Sequence, residues 1–135
     1  MTDKKRILVV DDEEEMATTM KEILELEGFE VEIGHDGQEG LDKARSQRPD
    51  LIVSDVNMPV LDGFSMVRML KFDKNYQKIP IVMLTTRGKL QDKNIGLDVG
   101  ADGYFEKPFD IADLVIHVKM LLGIEGVIKP DREDR

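Results

Sequence analysis

Residues 51–59 have the sequence Leu-Ile-Val-Ser-Asp-Val-Asn-Met-Pro, an apolar run that ends at Asp55 and passes into a loop with proline. A short apolar run bounded by turn residues is typical of a strand buried on both faces of a sheet. The same pattern occurs near the start of the chain, where residues 7–10, Ile-Leu-Val-Val, are followed at once by Asp11 and Asp12. These segments predict two buried strands that both end in aspartate.

Further strands and a series of helices are predicted along the chain. The additional strand segments are Phe29–Ile33, Ile81–Leu84 and Gly103–Phe105. Between the strands, apolar residues recur every three or four positions, which is the spacing of one helix face. They are Met16, Met20, Ile23 and Leu24 in the first helix, Phe64, Val67 and Leu70 in the third, and Leu114, Val118 and Leu121 in the last. One helix is therefore predicted after each of the strands, with Gly28 ending the first and Asp36 with Glu39 forming a capping box for the second.

The regular alternation of strands and helices predicts an α/β fold with a parallel sheet and right-handed crossovers. The segments at residues 7–10, 51–53 and 81–84 are almost wholly apolar, so these strands are expected at the buried centre of the sheet. Residues 29–33 alternate apolar and acidic side chains, as an edge strand does. We predict a flavodoxin-like, doubly wound (βα)5 fold with a parallel sheet in the strand order 2-1-3-4-5.

Composition limits both the size and the class of the protein. The chain has 135 residues, the usual size of one domain, and no cysteine, which excludes disulfides and thiolate metal sites. We expect one domain over residues 1–123 and a polar tail or linker stub over residues 124–135, where helical spacing ends. A net charge of −9 argues against a nucleic-acid binder, because duplex affinity depends on cationic side chains. The apolar run at residues 7–10 is too short for a signal peptide or a membrane span, so a cytoplasmic location without membrane contact is expected.

Carboxylates mark the strand ends at which a ligand is expected. In an open parallel sheet, ligands bind beyond the carboxyl ends of the strands where the winding direction reverses, here between the first and third strands. These strands end in Asp11-Asp12 and in Asp55, and a cluster of oxygen ligands favours Mg²⁺ or Mn²⁺. Taken alone, residues 11–15 are better explained as an acidic helix start. That explanation does not account for Asp55 at the same edge, which favours a metal site.

The two remaining strand ends carry a hydroxyl and an ammonium. The fourth strand runs into Thr85 and Thr86, and the fifth runs into Glu106 and Lys107. These groups would give a phosphoryl group on Asp55 one hydrogen bond and one charge partner. Separately each is weak evidence, since threonine is common in strands and a lone lysine is usually solvated. In combination with the aspartates, they predict a phosphoryl-acceptor site.

The combined motifs resemble the receiver domains of bacterial two-component response regulators. The matching segments are Asp11-Asp12, residues 54–63 (Ser-Asp-Val-Asn-Met-Pro-Val-Leu-Asp-Gly), Thr85 and residues 107–109 (Lys-Pro-Phe), within a resemblance that covers Lys5–Gly123. The resemblance implies that Asp55 accepts a phosphoryl group from a sensor histidine kinase, a phosphotransfer protein or a small donor such as acetyl phosphate. The protein would be a signalling switch whose catalysis is limited to its own phosphorylation and dephosphorylation.

The same resemblance assigns roles to individual residues. Asp12 and Asp55 would bind Mg²⁺ directly, with the backbone carbonyl of Asn57 as a third ligand and Asp11 acting largely through water; Mn²⁺ would substitute. Lys107 would neutralise charge on the phosphoryl group, and its peptide bond to Pro108 would be cis.

The resemblance also implies how the signal leaves the site. Thr85 would follow the phosphoryl oxygens inward, and Tyr104 would move into the space that Thr85 vacates. Thr86 replaces the small residue of many family members, so we expect it to restrict this movement. The fourth helix, fifth strand and fifth helix would form the surface for a downstream target or output domain, and phosphorylation would also favour a homodimer.

Two other classes of protein share parts of this pattern. A phosphatase of the haloacid dehalogenase type also uses Asp, Mg²⁺, Thr and Lys, but its nucleophile normally follows the first strand, whereas Asp55 ends the third. A flavodoxin has the same sheet but needs a hydroxyl- and glycine-rich loop after the first strand, where this chain has acids. A test with acetyl phosphate or beryllium fluoride distinguishes these alternatives.

Overall fold

The computed structural model describes residues 4–85 and 100–124 of the chain. Up to residue 85 strands and helices alternate as predicted, and each of the five predicted strands is present within the described ranges. The elements are β1 (Arg6–Val10), α1 (Glu14–Leu26), β2 (Glu30–Gly34), α2 (Gly37–Gln47), β3 (Leu51–Asp55), α3 (Gly63–Lys71), β4 (Ile81–Thr85), β5 (Gly103–Glu106) and α4 (Ile111–Leu121). Helix α4 is the last in the predicted series.

The five strands form one parallel sheet in the order β2-β1-β3-β4-β5, which confirms the predicted topology. Val53 in β3 lies between Val9 of β1 and Val82 of β4, so the apolar strands occupy the centre. Strand β2 at the edge has the alternating burial that its sequence predicts. Because β1 lies between β2 and β3, the winding direction reverses between β1 and β3, where the acidic strand ends meet.

Helices cover both faces of the sheet and bury a core on each. One core joins α1 and α4 to the sheet through residues such as Met20, Val53 and Leu114, each fully buried. The other joins α2 and α3 through residues such as Leu41 and Val67. Burying one aliphatic side chain of this size contributes about 1.5–3 kcal/mol, so the two cores hold the strand ends in fixed positions.

Aspartate side chains cap the N-termini of three of the described helices. Asp36 accepts a hydrogen bond from the backbone N–H of Glu39 at 2.8 Å, as the capping box predicts. The side chain of Glu39 accepts from the backbone N–H of His35 rather than of Asp36, so the reciprocal half of the box is displaced by one residue. Asp62 and Asp110 cap α3 and α4 in the same way.

Several predictions concern parts of the chain outside the described residues. The predicted fourth helix falls within residues 86–99, and Thr86 lies there too. The predicted tail lies outside the described ranges from residue 125 onward. Within the ranges that are described, the helices are all too short or too polar to cross a membrane.

Candidate functional site

The carboxyl ends of the four adjacent strands β1, β3, β4 and β5 form one edge that carries the predicted functional side chains. Asp11 directly follows β1, Asp55 is the last residue of β3, Thr85 is the last of β4, and Lys107 directly follows β5. Backbone hydrogen bonds continue the sheet at this edge, including one of 2.7 Å from the Lys107 N–H to the carbonyl of Thr85. The sheet therefore brings together residues that are distant in sequence.

The three predicted acidic residues do converge. Carboxylate oxygens of Asp11, Asp12 and Asp55 lie within 4.8 Å of one another. Asp11 is 0% exposed and Asp55 5%, whereas Asp12 is exposed to solvent. The cluster therefore has two buried carboxylates and one at the surface.

Burial makes ionisation of the two inner carboxylates unfavourable. Burial is the largest influence on Asp55 and raises the pKa of that carboxyl to about 6. The charge of Lys107 lowers this pKa, and the charge of Asp11 adds to the rise. Burial also raises the pKa of Asp11 above its ordinary value. The hydrogen bond that this side chain accepts from the Glu13 N–H lowers the pKa but does not outweigh burial. A nearby cation would relieve both carboxylates.

Lys107 supplies one positive charge to the cluster. Its Nζ lies 3.6 Å from Oδ1 of Asp55, 3.7 Å from Oδ2 of Asp11 and 3.3 Å from Oε1 of Glu13. Burial alone would lower the pKa of this ammonium, but Asp55, Asp11 and Glu13 together raise it above its ordinary value. Lys107 is therefore held charged beside Asp55.

Two buried oxygens at this edge have no hydrogen-bond partner among the described residues. They are Oδ2 of Asp11 and Oγ1 of Thr85, whose residues are 0% and 1% exposed. Leaving such groups without a partner costs about 1–3 kcal/mol each. An oxygen-only ligand set that includes a carboxylate oxygen without a hydrogen bond fits a hard divalent cation such as Mg²⁺. The unpartnered hydroxyl is available to a group bound beside Asp55.

Asn57 and Tyr104 are the remaining residues for which the resemblance implies a role. Asn57 is exposed in the loop after β3, two residues beyond Asp55. Tyr104 lies on β5 opposite Met83 and packs against the core on the side of α2 and α3. The peptide bond between Lys107 and Pro108 is cis, as the resemblance implies.

The loop between β3 and α3 has an unusual backbone at Val60 and a close approach at Gly63. Val60 has φ of 71°, and the N–H of Leu61 donates to the carbonyl of Pro59 at 2.7 Å, which closes a γ-turn around Val60. Such turns are rare and strained, above all for a β-branched residue. A Cβ on Gly63 would lie 2.2 Å from the carbonyl oxygen of Asp55, so this position requires glycine.

Glu13 also reaches this edge of the sheet. Its sequence neighbours are both acids, so its sequence indicates only an acidic helix start. The structure brings its carboxylate to Lys107, a residue 94 positions away. No local pattern in the sequence distinguishes Glu13 from Glu14 or Glu15.

Comparison with known proteins identifies the family. Residues 7–119 match the model of the response regulator receiver domain. The transcriptional regulatory protein PrrA of Mycobacterium tuberculosis is 46% identical over 121 residues, which cover 90% of this chain and 51% of PrrA. The chain thus spans about half the length of the curated relatives it matches.

Solved structures agree with this match. The chemotaxis response regulator CheY4 of Vibrio cholerae is 38% identical with a TM-score of 0.81, covering 87% of this chain and 98% of CheY4. The receiver domain of the sensor histidine kinase PA1611 of Pseudomonas aeruginosa is 32% identical with a TM-score of 0.82, covering 89% and 98%. That structure contains a magnesium ion coordinated in its active-site cleft. This chain belongs to the family of response regulator receiver domains.

Proposed function

We propose that this chain is a phosphorylation-controlled switch in which Asp55 is the phosphoryl acceptor. The observation that carries the proposal is the buried carboxylate of Asp55, 3.6 Å from the Lys107 ammonium and within the cluster formed with Asp11 and Asp12. An acceptor must be ionised to act as a nucleophile, and a pKa of about 6 leaves Asp55 mostly ionised at neutral pH.

The reaction is a phosphoryl transfer to a carboxylate. A carboxylate oxygen of Asp55 forms a bond to phosphorus while the P–N bond of a phosphohistidine, or the P–O bond of acetyl phosphate, breaks. The leaving imidazole or acetate keeps the electron pair of the broken bond. Water later attacks the phosphorus, releasing inorganic phosphate and restoring the carboxylate. The protein's own catalysis would be limited to these two steps.

Residues around Asp55 orient the phosphoryl group and balance its charge. Lys107 pairs with the phosphoryl oxygens, and the buried hydroxyl of Thr85 donates a hydrogen bond to one of them. Asp11, Asp12, Asp55 and the backbone carbonyl of Asn57 would hold Mg²⁺, with Mn²⁺ as a substitute. When bound, this ion neutralises charge that develops on the transferred group.

Phosphorylation would be transmitted from the edge of the sheet to a binding surface. It adds about one to two negative charges beside Thr85. Movement of Thr85 and Tyr104 would then alter the surface formed by β5, α4 and the helix predicted between β4 and β5.

The partners follow from this role. We propose a sensor histidine kinase or phosphotransfer protein as donor, and a downstream protein or output domain, or a second copy of the chain, as the phosphorylation-dependent partner. The receiver domain would extend over residues 1–123, with residues 124–135 as a tail or linker. The absence of cysteine agrees with a reducing compartment, for which we propose the cytoplasm.

Beryllium fluoride and acetyl phosphate test the acceptor directly. With Mg²⁺, acetyl phosphate should add one phosphoryl mass to the native protein and none to Asp55→Asn, as measured by mass spectrometry. Beryllium fluoride should give a bound ¹⁹F resonance in the native protein alone. Absence of both changes, together with many turnovers of p-nitrophenyl phosphate, would contradict the proposal and favour a phosphatase.

A further inference from the structure

The ammonium of Lys107 contacts three carboxylates, and the nearest of them belongs to Glu13 rather than to the proposed acceptor Asp55. The contact of 3.3 Å with Glu13 is shorter than the contacts of 3.6 Å with Asp55 and 3.7 Å with Asp11. The Glu13 contact also has the geometry of a hydrogen bond. The Lys107 side chain is 20% exposed and that of Glu13 is 65% exposed. Glu13 therefore reaches from the surface toward a lysine that is largely buried.

Glu13 directly precedes α1 but does not cap this helix with its side chain. Glu13 is the N-cap residue of α1, yet its side chain makes no capping hydrogen bond. The other described helices are capped by Asp36, Asp62 and Asp110, whose shorter side chains suit this purpose. The backbone N–H of Glu13 donates to Oδ1 of Asp11 at 2.9 Å, which fixes the residue at the edge of the site. Its carboxylate is thus directed to Lys107 and not to the helix terminus.

A groove lies beside Glu13 at the surface. The groove has a volume of about 360 Å³ and lies between the first turns of α1 and the start of α4. Its lining consists of Glu13, Glu15, Met16, Thr19 and Ile111. Open space therefore adjoins the Glu13 side chain between α1 and α4.

A phosphoryl group on Asp55 would compete with Glu13 for the same ammonium. It brings about one to two negative charges and strong acceptor oxygens. We propose, on the basis of the function proposed above, that Glu13 is a positioning residue that holds the Lys107 ammonium at the mouth of the site. Glu13 would thus oppose movement of this ammonium to the phosphoryl oxygens. Glu13 thereby lowers the affinity of the site for a phosphoryl group.

Beryllium fluoride binding tests this role. The dissociation constant is measured by ¹⁹F NMR at saturating Mg²⁺ for the native protein, Glu13→Gln and the control Glu14→Gln. Glu14 is exposed in the first turn of α1, so its substitution makes the same charge change next to the site. We expect Glu13→Gln to bind about two- to fivefold more tightly than either, the range that exposed ion pairs reach. The gain should shrink in about 1 M KCl, where the Debye length is about 3 Å.

A spectroscopic measurement separates contact with Lys107 from a general charge effect. The side-chain ¹⁵N resonance of Lys107 should shift in Glu13→Gln and stay in place in Glu14→Gln, both measured with Mg²⁺ bound. Circular dichroism checks that both variants are folded. If the Lys107 resonance is the same in both variants, Glu13 does not position this lysine and the proposal is wrong.

The binding results separate this inference from the function on which it rests. If the native protein binds beryllium fluoride and Glu13→Gln binds with the affinity of Glu14→Gln, the role of Glu13 is disproved and Asp55 remains the acceptor. Weaker binding by Glu13→Gln also overturns the proposal, because Glu13 would then assist Lys107. If the native protein binds no more than Asp55→Asn, the proposed function itself fails.

Discussion

Burial of Asp55 sets the properties of this side chain more than any feature of its local sequence. The side chain is 8% exposed and lies among Asp11, Asp12 and Lys107. An aspartate in the unfolded chain has an ordinary pKa near 3.8, whereas the folded protein raises the pKa of Asp55 to about 6. Between these two values, folded Asp55 keeps a proton that the unfolded chain has released. Its contribution to the free energy of unfolding is therefore unfavourable above pH 6 and is relieved as the pH falls toward 4.

Asp55→Asn should consequently stabilise the metal-free protein at neutral pH. A difference of about two pKa units corresponds to about 3 kcal/mol, which is the upper limit expected at pH 7.5. The gain over the native protein should decrease as the pH is lowered from 7 to 5, because native Asp55 becomes protonated. Urea denaturation in EDTA at several pH values measures both quantities.

The exposed Glu22 on α1 provides a matched control for this charge change. Glu22→Gln should alter the free energy of unfolding by less than about 0.5 kcal/mol at pH 7.5, as surface substitutions usually do. An Asp55→Asn variant that is no more stable than the native protein at pH 7.5 would show that burial does not destabilise this carboxylate.

At the scale of elements, the junction between β3 and α3 connects the core to the site. The N–H of Gly63 donates to the carbonyl of Val56 at 2.8 Å, and α3 starts directly against the end of β3. Asp62 caps the helix by accepting hydrogen bonds from the N–H and the hydroxyl of Ser65. The position of Asp55 therefore depends on a close backbone approach that glycine permits.

Gly63→Ala should disturb both stability and the site. The added Cβ would lie 2.2 Å from the carbonyl oxygen of Asp55, so the backbone must move. We expect a loss of about 1–3 kcal/mol in the free energy of unfolding, the usual cost of overpacking. Beryllium fluoride binding should weaken as well, because Asp55 is displaced.

Asp62→Ala is the control for loss of stability at the same helix end. Removing the cap should cost about 0.5–2 kcal/mol without a backbone collision. Binding of beryllium fluoride, measured by ¹⁹F NMR on folded protein, should then be nearly unchanged. Equal weakening in Asp62→Ala and Gly63→Ala would show that the collision with Asp55 has no specific effect.

For the molecule as a whole, the acidic cluster links metal binding to folding. The cluster is assembled from the ends of β1 and β3 and exists only when the sheet is formed. A cation that binds this cluster and not the unfolded chain must stabilise the fold. Relief of repulsion among Asp11, Asp12 and Asp55 supplies the physical reason.

Mg²⁺ should therefore raise the melting temperature. At about ten times the dissociation constant, binding adds about 1.4 kcal/mol. This corresponds to a rise of about 4–7 °C for a domain of this size. Differential scanning calorimetry measures the rise, with K⁺ at equal ionic strength as the control.

Asp12→Ala should reduce this rise, because it removes the exposed carboxylate of the cluster while leaving the buried core intact. The variant should retain a cooperative transition in the absence of metal. A melting temperature that does not respond to millimolar Mg²⁺ in the native protein would argue against the proposed metal site.

The sequence predicts the order of the strands and of the described helices, and it predicts the position of β2 at the edge. It also predicts that one end of the sheet brings together Asp11, Asp55, Thr85 and Lys107. These properties depend on local periodicity and on which residue ends each apolar run, and parallel pairing brings such ends together. The two buried faces likewise follow from the spacing of apolar residues.

The tertiary structure alone decided which acids are buried and which one reaches Lys107. Asp11 and Asp12 are neighbours in sequence, yet one is buried and the other exposed. Glu13 looks like any other acid of its run, but folding brings it within 3.3 Å of Lys107. Burial and ion pairing depend on distances between segments that are remote in sequence. Charge and pKa at this site are therefore properties of the assembled sheet and not of any single motif.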